Sequence, residues 1–300
     1  MVPRSAWFRL LVVLWAVATP TRQSLASALS NEQSGGNATR KLLAFDEVDY
    51  LDHFLILPEY RILFCSIDKV ASQSFTHALG LLRLSNGKPY SAREEKCRGV
   101  LASCLGYTKE FLKERIVDET WYKAVFLRDP MERLVSGYQS KCLSGHDADR
   151  YICFNQFGGD ASHVPSFKHV VEVLTQFEQG PGDPPLNQHW DHQARFCGGL
   201  ERTIQHYQTV EQLESAATAH EKVMTMLRRV NAPQRAMDEV AASTFTPLPP
   251  KMWPWHNTNS HAKLDEYMAL LGPGLQAELI KFYSGDYKLL GMHPPAMSAG

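Results

Sequence analysis

Arg61–Leu84, RILFCSIDKVASQSFTHALGLLRL, decides how the chain is read. Arg61–Ser66 is a short apolar run of the kind that forms a buried strand. From Ser74 onward Phe75, Ala78, Leu79 and Leu82 recur at helical spacing. The residues between, Ser66–Gln73, are small and polar. A strand that turns tightly into a helix aims the free N–H groups of the first helical turn, and the positive end of the helix dipole, at the turn. Lys69 adds a full positive charge there, and Ser72, Gln73 and Ser74 stand at the helix mouth. Lys69, Val70, Ala71, Ser72, Gln73 and Ser74 therefore describe a cradle for a phosphate-like anion. The loop is not the glycine-rich one of nucleoside-triphosphate-binding proteins, because it has no glycine and its lysine comes five residues before Ser74. Taken alone, the stretch equally describes a helix capped by Ser72 or Ser74 beside a surface lysine.

A second strand–turn–helix follows the same plan. Trp121–Leu127, WYKAVFL, is strand-like and runs into Arg128-Asp129-Pro130. Proline favours the first helical position, and Leu134, Val135 and Tyr138 give the helix an apolar face. Ser136 stands eight residues after Arg128, a little over two helical turns, so the two side chains can converge on one point. A guanidinium forks onto phosphate oxygens, and a hydroxyl completes the grip. The competing arrangement pairs Arg128 with Asp129 or Glu132 and leaves Ser136 on the surface.

Thr203–Val210 reads as a third strand and Glu211–Arg229 as its helix. Further helices are expected at Lys109–Ile116, Pro165–Phe177, Ala262–Leu271 and Leu275–Tyr283, with irregular chain over residues 85–108 and 143–164. Residues 42–60 are apolar enough to pack on the domain ahead of the first strand, and residues 246–254 form a proline-stiffened loop. Strands alternating with helices predict an α/β fold with a parallel central sheet flanked by helices. Ligands of such sheets bind at the carboxyl ends of the strands, where the Lys69 loop and Arg128 both fall.

The whole chain sets wider bounds. Three hundred residues suffice for one large domain or two small ones. Thirty-one Lys and Arg stand against 32 Asp and Glu, which gives no basic excess for nucleic-acid binding and no strongly basic groove for a highly sulfated polyanion. Arg4 and Arg9 precede the apolar run Leu10–Ala18, LLVVLWAVA, so residues 1–28 read as a signal peptide or a signal anchor. Either places the body of the protein in the lumen or outside; uncleaved, it also ties the chain to a membrane. Residues 29–41 look like a flexible stem carrying the sequon Asn37-Ala38-Thr39, ahead of one domain over residues 42–293. Six cysteines in an oxidising compartment permit three disulfides. Cys97 with Cys104, and Cys142 with Cys153, close short loops, while Cys65 inside the first strand reads as a buried free thiol or packing residue. No Cys/His spacing suggests a metal site.

Two anion sites on one sheet edge suit a ligand with phosphate-like groups at both ends of a nucleoside. Here Cys65–Phe75, CSIDKVASQSF, resembles the 5′-phosphosulfate loop of Golgi carbohydrate sulfotransferases, and Val125–Tyr138, VFLRDPMERLVSGY, is similar to their 3′-phosphate motif. The wider family includes the chondroitin and dermatan 4-O-, HNK-1 and uronyl 2-O-sulfotransferases, and the resemblance runs from about residue 60 to 291. It implies a P-loop-like sulfotransferase fold, the co-substrate 3′-phosphoadenosine 5′-phosphosulfate (PAPS), no metal, and in-line transfer of a sulfuryl group to a hydroxyl of a glycan or proteoglycan. It also implies a Golgi-lumenal protein, either type II membrane-anchored or secreted. Lys69 would meet the bridging oxygen, Ser72, Gln73 and Ser74 the 5′-phosphate, and Arg128 and Ser136 the 3′-phosphate. Asp68 departs from the family's usual proline and Gln73 from its usual threonine. These departures favour an alternative, a catalytically weakened relative that binds the product 3′-phosphoadenosine 5′-phosphate (PAP) or glycans. For the base that takes the acceptor proton, His189 in Asn187-Gln188-His189-Trp190-Asp191-His192 matches the His-Trp pair of the chondroitin 4-O branch, with Asp191 or a neighbour to orient it. The competing role for His189 is packing on Trp190 or contact with sugar, and Trp190 itself is either a sugar platform or core.

Overall fold

The computed structural model describes residues 51–87, 99–160, 162–178, 186–214, 216–243 and 260–294, all within the compact unit Leu42–Gly300. The N-terminal targeting segment, the stem and its sequon, Cys97 and the proline-stiffened loop lie outside the described residues. Among the described residues no helix is long and apolar enough to cross a membrane.

The first strand–loop–helix is β2 (Ile62–Cys65), the turn through Ala71, and α1 (Ser72–Ser85). The second is β3 (Tyr122–Leu127) and α3 (Pro130–Lys141), preceded by α2 (Lys109–Val117). Both match the expected positions closely, because in each a continuous apolar run stops at a polar turn and a helical period begins. β4 (Thr209–Gln212) completes the parallel part of the sheet, with Ile62 opposite Tyr122 and Ala124 opposite Thr209.

The sheet is mixed rather than wholly parallel. β1 (Phe54–Leu57), within a stretch expected only to pack on the domain, joins β2 as an antiparallel edge strand, Phe54 opposite Cys65. All four of its residues are buried, so it shows no alternation, and a short apolar run does not declare strand or helix by periodicity. The return to β2 is made by a 3₁₀ turn, Pro58–Tyr60, and by Arg61 in the left-handed conformation (φ 51°). The third strand starts later than Thr203: Ile204–His206 is a 3₁₀ turn, and Glu211 and Gln212 in the true edge strand are polar and partly exposed, so the apolar cue falls ahead of the strand.

Three other segments differ from expectation. α4 (Asp147–Phe157) lies inside the stretch taken as irregular; Gly145 and Gly158 bound it, and only Cys153 and Phe157 are buried, so its apolar stripe is faint. The helix after β4 is α6 (Ala216–Arg229), following α5 (Phe167–Thr175), and α7 (Gln234–Ser243) is an additional helix. The C-terminal part holds α8 (Ser260–Ala269), α9 (Pro273–Phe282) and α10 (Ser284–Leu290).

Two apolar clusters form the core. The first joins β1, β2 and β3 to α1, α2, α6 and α7, with Phe64, Phe75 and Phe126 packed ring to ring at 4.5–5.9 Å. The second gathers α3, α4, α5, α8, α9 and α10 around Trp190. α3 has buried residues in nearly every turn, as a helix wedged between sheet and helical layer must.

Covalent links reinforce this frame. Cys65 is not a free thiol: it bonds Cys197, 132 residues away. Cys142 bonds Cys153 as expected from their spacing, stapling α3 to α4. Cys104 is disulfide-bonded. The Cys65–Cys197 bond closes a long loop, so replacing both residues with serine is expected to lower unfolding free energy by roughly 2–5 kcal/mol, measured by chemical denaturation under non-reducing conditions.

Candidate active site

The turn after β2 is held in an unusual backbone shape. Lys69 (φ 66°) and Ala71 (φ 52°) are both left-handed without being glycine, at a cost of about 1–2 kcal/mol each. Ala71 is the N-cap of α1 and makes no side-chain cap bond, and Ser72 is already helical. The plain reading of this stretch as a serine-capped helix therefore fails. The start of α1 is left facing the turn with a cap residue that has no acceptor in its side chain.

Lys69 is half-buried, and its Nζ donates to Ser140 Oγ at 2.7 Å. Burial, with Lys141 nearby, lowers its pKa from the usual lysine range to about 8. Arg128 stands at the end of β3. Its backbone is clamped by one side chain: the Arg128 N–H donates to Gln193 Oε1 (3.0 Å), and Gln193 Nε2 donates to the Arg128 carbonyl (2.8 Å). Gln193 is itself fixed by Asp286, whose two carboxylate oxygens accept the N–H groups of Gln193 and Ala194, both at 2.9 Å. The guanidinium donates to Lys69 O (3.2 Å), to Ser260 Oγ (2.7 Å) and to Glu132 Oε2 (3.3 Å).

Asp129 does not pair with Arg128; it caps α3, accepting from the N–H groups of Met131 and Glu132. Glu132, Ser136 and Ser140 then fall four residues apart along one face of α3. Glu132 meets Arg128 and Ser140 meets Lys69, so buried Ser136 lies between the two cations on one ridge about 12 Å long. Lys69, Arg128 and Ser136 are thus brought together, and Ser136 is not a surface residue.

A third element closes the site. Arg133 is only 1 % exposed, and its guanidinium donates to the carbonyls of Asp68 (2.8 Å), Gln188 (2.7 Å) and Asp191 (2.5 Å). It lies over the Phe196 ring at 5.5 Å. This one side chain ties the Lys69 loop to the His189 loop. His189 N–H and Nδ1 both reach Asn187 Oδ1, at 3.1 and 2.6 Å, so Nδ1 carries the proton and Nε2 keeps its lone pair. Burial keeps the ring neutral, its pKa pushed down to about 3.

Sequence comparison agrees with this geometry. A model of the sulfotransferase family matches residues 52–292. The chain belongs to the sulfotransferase family.

Its similar relatives include carbohydrate sulfotransferase 14 of Danio rerio, 24% identical over 82% of this chain and 63% of the relative. Carbohydrate sulfotransferase 12 of Xenopus laevis is 24% identical over 84% of this chain and 63% of its own. This sulfotransferase chain thus spans under two thirds of the length of the relatives it matches. No solved structure matches it.

Several sequence expectations for this sulfotransferase change. Of Asp191 and its neighbours, Asn187 is the one that orients His189; Asp191 is fully buried and pairs with Arg195 at 3.0 Å. Trp190 is fully buried against Phe157, so it is core and not a sugar platform. Asp68 lies among His189, His53, Arg133 and Lys69. Burial opposes its ionisation, but His189, His53, Arg133 and Lys69 outweigh it and hold the carboxyl below its usual range. Its Oδ2 has no hydrogen-bond partner among the described residues. Sequence reasoning missed Arg133, Gln193, Asp286 and Ser260. Only Arg133 carried a signal, a charge set between Met131 and Leu134 in the apolar run of α3.

Gly137 sits where α3 meets the His189 loop. A Cβ there would meet Trp190 Cζ3 at 2.8 Å and the His189 carbonyl at 3.1 Å. Gly137→Ala is expected to destabilise the fold by about 1–3 kcal/mol despite alanine's better helix propensity, seen as a lower thermal midpoint. Arg133→Leu, which strips three carbonyls of their donor, is expected to cost more, roughly 3–5 kcal/mol.

Proposed function

We propose that the protein is an enzyme that transfers the sulfuryl group of PAPS to a hydroxyl of a glycan within the secretory pathway. The observation that carries this is the α3 ridge, with a half-buried lysine at one end, an arginine at the other and a buried serine between them. Those spacings suit a nucleotide with anionic groups at both ends. The relatives' names support a carbohydrate acceptor, and the disulfides Cys65–Cys197 and Cys142–Cys153 fit an oxidising lumen.

PAPS supplies an activated sulfuryl group on its 5′-phosphate, and the chain's residues supply the rest. The backbone of Val70 and Ala71, with Ser72, Gln73 and Ser74 at the start of α1, holds the 5′-phosphate end. Lys69 meets the bridging oxygen and takes up charge as the sulfur–oxygen bond breaks, a preorganised electrostatic role. Arg128 and Ser136 hold the 3′-phosphate. His189 Nε2 accepts the proton of the acceptor hydroxyl as its oxygen bonds to sulfur. Neutral at rest and fixed by Asn187, His189 is in the form a base requires.

Asp68 beside Lys69, whose Oδ2 has no hydrogen-bond partner among the described residues, favours a second reading, a relative that holds PAP or glycan without turnover. Sulfur-labelled PAPS offered with a panel of native and desulfated glycans separates the two. Label on a glycan, reduced about 10²–10³-fold by Lys69→Ala, supports transfer; PAP binding without label supports the second reading; transfer from ATP overturns both. The pH profile is a further check. His189 stays unprotonated down to about 3 and Lys69 loses its proton through about 8. Neither group therefore depresses kcat/KM for the donor between mildly acidic and neutral pH, and loss of the Lys69 proton is expected to lower it as pH rises past about 8.

A further inference from the structure

At the far end of the ridge from Lys69, Arg128 is not alone with Glu132. The first two residues of α8 reach the same carboxylate and the same guanidinium. Ser260 is 1 % exposed, and its Oγ accepts from Arg128 Nη2 at 2.7 Å. His261 Nδ1 lies 2.5 Å from Glu132 Oε1, while Glu132 Oε2 takes Arg128 Nε at 3.3 Å. The Glu132 carboxylate is thus shared between His261 and Arg128, the side chain proposed to grip the donor's 3′-phosphate.

We propose that His261 is a donor-positioning residue acting through Glu132, so that its charge state sets how strongly Arg128 holds the 3′-phosphate. The proposal rests on the reading of Arg128 as the 3′-phosphate residue. Its basis is local charge. With His261 neutral, Glu132 cancels Arg128, and an arriving phosphate meets a pair with no net charge. With His261 protonated, the imidazolium occupies Glu132 and one positive charge is left over for the phosphate. Ser260, fixed at the helix start, keeps the guanidinium turned to the same side in either state.

The groups that face His261 agree with this arrangement. Its hydrogen bond to Glu132 and that residue's charge raise its pKa, Asp265 on its own helix adds to the rise, and Arg128 and desolvation oppose it. Arg128 itself feels Asp129 and Arg133 besides Glu132. Because the protonated ring favours the anion, donor affinity is highest below the His261 pKa and falls as pH rises through it. Neither the family motifs nor the Arg128–Ser136 spacing contains this residue.

Calorimetric titration of the full chain with PAP, and with AMP as the ligand lacking a 3′-phosphate, at pH 6 and pH 8 tests the proposal. The wild-type protein is expected to lose roughly tenfold more PAP affinity between those pH values than His261→Gln, the size of one unit charge at short range near a surface. AMP should bind both proteins alike at both pH values. His261→Lys, charged throughout, should lose no more PAP affinity between pH 6 and pH 8 than His261→Gln, the loss that Lys69 alone causes. The same pH response in wild type and His261→Gln overturns the proposal, as does a His261→Lys protein that weakens like wild type. If PAP binds no better than AMP to the wild-type protein at either pH, it is the assignment of Arg128 to a 3′-phosphate that has failed, and the role of His261 falls with it.

Discussion

A buried guanidinium with three backbone carbonyls around it holds this site together. Arg133 projects from the middle of α3 into the space between the turn after β2 and the turn that carries His189, and it satisfies carbonyls from both. A charge taken out of water is tolerated only when its donors are matched. Neither turn can move independently without leaving a donor or a carbonyl unmatched. Lys69 and His189 belong to segments about 120 residues apart, and their mutual placement depends on a residue that touches neither anion nor acceptor in the proposed chemistry. Phe196 beneath the guanidinium closes the remaining side.

α3 makes the rest of the site possible because its faces do different work. Leu134, Val135 and Tyr138 bury into the helical cluster, Arg133 reaches the loops, and Glu132, Ser136 and Ser140 line the polar ridge. Gly137 lets Trp190 approach the helix, so a residue with no side chain determines where the His189 loop lies. The clamp running from Asp286 through Gln193 to the Arg128 backbone carries the C-terminal helix α10 into the same assembly. The Arg128 end of the ridge and the C-terminal layer are therefore one mechanical unit.

What the sequence disclosed and what it hid follow from the range of the interactions. The two strand–turn–helix units, the sheet edge they share and the spacing of Arg128 and Ser136 are local facts, carried by periodicity and by the helix pitch. Lys69 was legible for the same reason, although the turn that presents it relies on left-handed residues no pattern announces. β1 was hidden because burial on both faces erases alternation. The Asn187 contact to His189 spans two residues, yet Asp191 looked as suitable until its pairing with Arg195 was seen. Gln193, Asp286 and Ser260 act over 65 to 132 residues of sequence, where spacing says nothing about proximity.

The bond between Cys65 and Cys197 bears on when the site comes into being. Cys65 ends β2, immediately before the turn that presents Lys69, and Cys197 follows the loop of His189. As the chain is synthesised, both strand–turn–helix units emerge before the cysteine that locks the first of them. A chain truncated between residues 141 and 197 holds both strand–turn–helix units and lacks the covalent link from the turn after β2 to the segment that follows His189. Maturation of the site is thus tied to oxidative closure of the ring, and a reducing environment would leave the turn after β2 anchored by hydrogen bonds and packing alone.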